Sequence, residues 1–317
     1  MKNYSFSRDG KIPLKSLNTV TLNRLFALSI AIKLTNNLVD IKTVKGENIN
    51  QVDLITYSFP CQDLSLQGKG KGIYNGKSSS LLWEVKRIIQ ELSDLKTLPR
   101  FLLLENVSAL FSSKHSLALR EWKDFLSNLG YVNHCFILNA KHFDVPQNRS
   151  RAFIVSELNQ NNFNINNLLK NNQLTNKTIK DIYEPHYNHL ENEFILKKGS
   201  ILDFNPKPNP KSGIALTKII NYTNFSSEAR AISINGIAPT ITAMGASSRI
   251  KIIIDINKKQ TLRLLKPLEL WKLMGFTKED FFLANQFNLV PENNLIKQAG
   301  NSIVVDVLEA IFAELFQ

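Results

Sequence analysis

The chain has 317 residues, 43% of them hydrophobic, enough to bury a core in two domains or in one large domain with a lobe attached. Its 39 Lys and Arg against 27 Asp and Glu leave a formal charge of +12, a surplus that points to a polyanion, most often nucleic acid. No apolar run approaches a membrane span, Met1–Arg8 lacks a signal-peptide core, and two cysteines make no disulfide framework, so a cytoplasmic protein is expected.

The first 50 residues say least. Leu22–Ile32 has apolar residues at helical spacing behind Thr21 as an N-cap, and no Gly-rich turn follows a strand there. Val52–Tyr57 reads as a buried strand that delivers Ser58-Phe59-Pro60-Cys61-Gln62-Asp63-Leu64-Ser65. A cysteine held after a proline at the C-terminal end of a strand stands where an open α/β sheet places reacting groups. Taken alone, Cys61 reads first as a small buried hydrophobe.

Gly68, Gly70 and Gly72 alternate with Lys69 and Lys71, and Asn75-Gly76-Lys77-Ser78-Ser79-Ser80 follows. A phosphate-cradling loop is set aside, because the glycines do not run from a strand into a helix in the required register. A basic loop with glycine hinges, closing over a bound polyanion, fits better. Ser79 or Ser80 then caps an amphipathic helix from Leu81, and Arg100–Val107 forms a second buried strand ending in Glu105. A helix over Ala118–Leu129 stops at Gly130, and Tyr131–Asn139 is another strand. This alternation predicts a doubly wound, Rossmann-like α/β sheet with helices on both faces.

Gln147-Asn148-Arg149-Ser150-Arg151 runs into the apolar strand Ala152–Val155. At a period of two, Gln147, Arg149 and Arg151 share one face, either as a fork for a phosphate, carboxylate or base edge or as a solvated strand edge. From Glu157 to Lys211 Asn, Lys and Pro dominate, and 157–290 is expected to form a smaller, irregular lobe beside a catalytic domain over 1–156. Within the lobe, Gly245, Ser247, Ser248 and Arg249 precede the strand Ile250–Ile254, which suits either a close approach to a nucleic-acid backbone or a plain hairpin. Arg263–Phe276 reads as a strand end, a helix with proline in its first turn and a glycine stop. Gly300-Asn301-Ser302 reads as a turn opening a terminal helix that returns, over 291–317, to the catalytic domain.

In this order, Pro60-Cys61-Gln62, Glu105-Asn106-Val107, Gln147-x-Arg149-x-Arg151 and Gly300-Asn301-Ser302 resemble the motifs of the cytosine-5 DNA methyltransferases. Ala238-Pro239-Thr240-Ile241-Thr242 and Arg263-Leu264-Leu265-Lys266-Pro267 match two further blocks of that family. Ser58–Ser65 and Gly245–Ile252 look most like the bacterial single-chain enzymes that methylate CpG.

The resemblance implies methyl transfer from S-adenosylmethionine to carbon 5 of a cytosine flipped out of double-stranded DNA. Cys61 is then the nucleophile at carbon 6, Glu105 holds the ring and supplies a proton, and Arg149 and Arg151 stabilise charge and position the base. Pro60, Asn301 and Ser302 line the methionine side of the cofactor pocket, while Gln62, Ser65, Gln67, Lys69, Lys71 and Arg249 are DNA contacts. No metal ligands are implied.

Two departures stand out. The family's opening strand and Phe-x-Gly-x-Gly turn have no counterpart, and Ser78-Ser79-Ser80 precede Leu81 where relatives usually carry Arg-Ser-Gly. The first departure leads us to expect the larger subunit of a split enzyme, its cofactor pocket completed by a small subunit carrying that motif. Such an enzyme would act in a restriction–modification pair with an endonuclease or as an orphan methylase. The competing readings are a truncated, inactive relic and a DNA-binding protein without catalysis.

Overall fold

The computed structural model describes residues 30, 33–59, 81–169, 174–187, 198–243, 249–256 and 259–316. The helix expected over Leu22–Ile32 and the basic loop over Gln67–Lys77 lie almost wholly or wholly outside them.

The central sheet has the strand order β1-β2-β5-β3. β1 is Leu54–Tyr57, β2 Phe101–Val107, β3 Tyr131–Asn139 and β5 Ser150–Leu158, with the short β4, Gln147–Asn148, before it. β1 and β2 are parallel, while β5 runs antiparallel to both β2 and β3. Strand–helix alternation therefore holds for the first half, and the second half turns back on itself.

β2 shows why its sequence is an unbroken apolar run. Phe101 and Leu103 face one core, with Phe136, Phe153 and Val155, and Leu102 and Leu104 face another, with Ala152 and Ile154. A strand covered on both faces needs apolar residues at both phases of the pleat. The second core is closed by α1, Leu81–Asp94, through Leu82, Val85 and Ile89, and by α2, Ser116–Asn128, through Ala118, Trp122 and Leu126.

After the short helices α3, Ile165–Leu169, and α4, Ile179–Ile182, comes a second sheet. Its order is β10-β9-β7-β6, from β6 Leu216–Lys218, β7 Arg230–Ser233, β9 Lys251–Ile256 and β10 Lys259–Leu264. Ile219, Ala231, Ile253 and Leu262 make its own small core. β8, Ala238–Pro239, leaves this sheet to pair in parallel with β4.

Four helices complete the chain: α5 Pro267–Lys272, α6 Lys278–Asn285, α7 Glu292–Asn301 and α8 Val305–Leu315. Leu268, Trp271, Phe281, Leu295, Ala299, Val307 and Ile311 join the first core, which also takes in Ile232, Ile252 and Ile254 of the second sheet. The core thus fuses the lobe to the catalytic sheet. One expectation is corrected here: Gly300 and Asn301 end α7, Ser302 is its C-cap, and the terminal helix begins only at Val305. Leu295 and Ala299, four apart and buried, carry the helix on to Asn301. The Gly275 stop does fall after α5, with φ +83°.

The strand end and helix start at Arg263–Pro267 are joined by a buried ion pair. Arg263 Nη2 lies 2.6 Å from Glu269 Oε1 and Nη1 2.8 Å from Oε2. Glu269 also accepts from the backbone of Lys266 and of Glu184, at 2.7 Å each. We predict that Glu269→Ala, which strands a buried guanidinium and two amides, lowers unfolding stability by about 3–5 kcal/mol. A urea midpoint displaced by less than one-fifth of that would show the pair to be dispensable.

Candidate active site

β1 and β2 end side by side, and their last residues are stitched together. Ser58 Oγ donates to the backbone oxygen of Glu105 at 2.8 Å, and Asn106 Nδ2 donates to the backbone oxygen of Phe59 at 3.0 Å. The chain therefore enters residue 60 from a point fixed against Glu105–Asn106. Pro60, Cys61, Gln62, Ser65, Gln67, Lys69 and Lys71 themselves lie outside the described residues.

Glu105 is nearly buried, and its Oε1 lies 3.1 Å from Arg151 Nε. In the β2–β5 register Arg151 stands opposite Val107, so the pair is a diagonal one on a single face. Burial pushes the Glu105 carboxyl above its ordinary value, and the charges of Arg151 and Arg149 pull the other way.

The arginine fork read from the sequence divides here. Arg149 falls between β4 and β5 and is 3% exposed. Its Nη1 donates to Ile241 O at 2.8 Å, and its Nη2 to Gly300 O at 3.1 Å and Ser302 O at 2.9 Å. Gln147, fully buried, donates to Leu273 O and accepts from Ile241 N. Gln147 and Arg149 thus clamp backbone, and only Arg151 turns to Glu105. The expected sharing of one face fails because the chain changes sheet partner at Arg149.

Asn139 sets that break: its Oδ1 accepts from Arg149 N, and its Nδ2 donates to Asn148 Oδ1 and Ser150 Oγ. Gly300 completes the clamp, because a Cβ there would overlap the backbone of Thr242 and Ala243. Asn301 is exposed and Ser302 half-buried beside it. Arg249, just before β9, is paired with Glu228 at 3.1 Å and not with Glu105 or Arg151. Ser58, Asn106, Asn139 and Gly300 are the positioning residues that sequence reasoning passed over; polar residues closing two adjacent apolar strands were the available signal. Among the described residues no group of three His, Cys, Asp or Glu could hold a metal ion, and no helix is long and apolar enough to cross a membrane.

A mixed α/β sheet with a buried carboxylate–arginine pair at its strand ends is consistent with a Rossmann-like methyltransferase fold, the fold of the structural neighbour below. The model of C-5 cytosine-specific DNA methylases matches residues 23–317. The chain is 37% identical over 290 residues to the orphan methyltransferase M.SssI of Spiroplasma monobiae, covering 90% of this chain and 72% of that protein. It is 33% identical over 325 residues to the type II methyltransferase M2.ScrFI of Lactococcus lactis subsp. cremoris, covering 100% and 81%. The crystal structure of the S. pombe Dnmt2 methyltransferase superposes with a TM-score of 0.63 at 19% identity, covering 87% of this chain and 82% of that one. The chain belongs to the C-5 cytosine-specific DNA methylase family and is a DNA cytosine-5 methyltransferase.

Two predictions separate clamp from site. Arg149→Ala removes a charged donor from three carbonyls and should cost about 3 kcal/mol or more in denaturant unfolding, at about 1.5–3 kcal/mol per such bond. Arg151→Ala should cost far less, because Glu105, already displaced upward, takes a proton when its cation goes. Equal losses would show that both arginines serve the fold.

The raised Glu105 pKa gives a signed pH effect. A carboxyl that holds its proton better folded than unfolded contributes stability below the ordinary carboxylate range and loses it as pH rises through the raised value. Glu105→Gln, a permanent mimic of the protonated acid, should therefore unfold at neutral pH no earlier than wild type. A midpoint clearly below wild type at pH 7 would mean that the ionised Glu105–Arg151 pair is a net stabiliser.

Proposed function

We propose that this chain methylates carbon 5 of cytosine in double-stranded DNA through a covalent adduct at Cys61, with CpG as the target. The observation that carries this reading is the double stitch of Ser58 and Phe59 to Glu105 and Asn106, which ties the entry to Cys61 to the buried carboxyl. Cys61, as a thiolate, adds to carbon 6 of a cytosine flipped out at a cost of a few kcal/mol, and after carbon 5 has taken the methyl group, loss of the carbon 5 proton breaks the bond to Cys61 and frees the thiolate. Glu105 gives its proton to ring N3, for which burial has prepared it, and Arg151 then steadies the carboxylate that remains. Arg149 acts at one remove, by holding Ile241, Gly300 and Ser302 in place. The lobe over 157–290 reads the target, and Gln62, Ser65, Gln67, Lys69, Lys71 and Arg249 meet the DNA.

The family uses S-adenosylmethionine, which supplies an electrophilic methyl group when bound. The Ser302 hydroxyl and Asn301 side chain, with Pro60, would form one wall of its pocket. The other wall, on this reading, comes from a separate small polypeptide whose strand extends the sheet beyond β1. Two features support it. Among the described residues β1 pairs only with β2, and a hollow of about 320 Å³ lies between β1, α1 and residues 37–49, lined largely by apolar side chains including Leu38, Val39, Val44, Ile55 and Ile88. A cognate restriction endonuclease is a further partner if the pair guards DNA, as the type II name of one relative would have it.

Co-expression with the complementing polypeptide should yield 5-methylcytosine at CpG by bisulfite sequencing, and Cys61→Ser should abolish both methylation and trapping by a mechanism-based cytosine analogue. Glu105→Gln should slow transfer by about 10²–10⁴-fold. Full-rate transfer of labelled methyl groups by this chain alone would overturn the split arrangement, and trapping that survives Cys61→Ser would overturn the assigned nucleophile.

A further inference from the structure

The segment between β6 and β7 is held from below by three cations. Ile219 N donates to Ala229 O at 3.0 Å and closes its base. Lys251, 7% exposed, donates through Nζ to Glu228 O at 2.8 Å and lies 5.4 Å from the centre of the Tyr222 ring. Arg230 Nε donates to Ser226 O at 3.0 Å, and Arg249 Nη2 pairs with Glu228 Oε1 at 3.1 Å. Within the segment, the amides of Glu228 and Ala229 both donate to Phe225 O.

Two large apolar side chains of this segment face solvent, Ile220 at 55% and Phe225 at 68% exposed; Phe225 is the aromatic one and the more exposed. A single exposed apolar residue is ordinary. An aromatic one whose backbone oxygen is fixed by two amides, on a segment that Arg230 and Arg249 bind at Ser226 and Glu228, is pre-organised for a ligand that offers both anionic groups and an apolar face. Duplex DNA, the substrate of this enzyme, offers phosphates around a base stack.

We propose that Phe225 is a DNA wedge: its ring packs against the base stack of the bound duplex while Arg230 and Arg249 meet the flanking phosphates. The inference rests on the reading of the 157–290 lobe as the DNA-facing lobe, and it adds a contact that the family motifs do not include. The cations explain the rigidity, since a wedge must hold its rotamer and backbone against the resistance of the stack. Glu228, which pairs with Arg249 at 3.1 Å, is the group a phosphate would displace.

The test uses the full chain and a fluorescently labelled duplex with one CpG, with binding rather than methylation as the readout. Phe225→Ala should weaken duplex binding about tenfold or more, the scale of one lost base–aromatic contact, with the urea midpoint unchanged. Phe225→Trp should retain wild-type affinity, and its added emission should be quenched by the duplex but not by heparin, a polyanion without bases. Duplex affinity within twofold of wild type for Phe225→Ala, or no quenching of Phe225→Trp, overturns the proposal. Concentration-dependent self-association that Phe225→Ala abolishes also overturns it and assigns the face to a second copy. If wild type and both variants all fail to bind duplex, the DNA-facing reading of the lobe falls with it; a loss confined to Phe225→Ala supports the wedge.

Discussion

One buried guanidinium sets the geometry of the whole site. Arg149 reaches carbonyls 92, 151 and 153 residues further along the chain, so a single side chain holds the lobe loop at Ile241 and the helix end at Gly300 and Ser302 against the strand that carries Arg151. A planar, always-charged fork spreads its donors over two terminal nitrogens and so reaches carbonyls of two separate segments, a spread that the single nitrogen of lysine does not match. Gly300 is the complement of that clamp, because the helix end can approach Thr242 and Ala243 only without a Cβ. The backbone amide of Arg149 donates to Asn139 Oδ1, so the clamp is anchored at both ends.

Opposed forces of similar kind are balanced at Glu105. Burial favours the neutral acid, while Arg151 in contact and Arg149 nearby favour the carboxylate, and burial prevails. The carboxyl therefore keeps its proton to a higher pH than an ordinary carboxylic acid, with a cation in contact that can balance its charge once the proton leaves. The same residue's backbone oxygen anchors Ser58, three residues before the cysteine. The end of β1 and the strand that carries Glu105 therefore share a support.

Much of the sheet was legible because its burial is periodic. Tyr131–Asn139 matches β3 residue for residue, and Phe101–Val107 was readable as a strand covered on both faces. The helix starts at Leu81 and Pro267 announced themselves through serine caps and the fixed φ of proline. The direction of β5 was not legible, since antiparallel and parallel strands share a period of two. Nor was the split between Arg149 and Arg151. Alternation assumes a continuous strand, and the change of partner from β8 to β2 and β3 is a tertiary event with no local mark. At Gly300-Asn301-Ser302, N-cap residue types suggested a helix start. The packing of Leu295 and Ala299 placed a helix end there instead.

Among the described residues β1 has one unpaired edge, and these threads meet there. Val39, a β-branched residue, sits at φ +66° with 76% of its surface exposed, beside the hollow that Leu38, Val44, Ile55 and Ile88 line. A left-handed backbone and an apolar side chain in water both cost free energy, and nothing on the described surface returns it. On the reading proposed above, a strand laid parallel along that edge covers the apolar surface and satisfies the open ladder in a single event. Its C-terminal turn would then arrive beside Phe59, at the same end of the sheet as Glu105. On that reading, docking of the partner and closure of the sheet edge would be the same step.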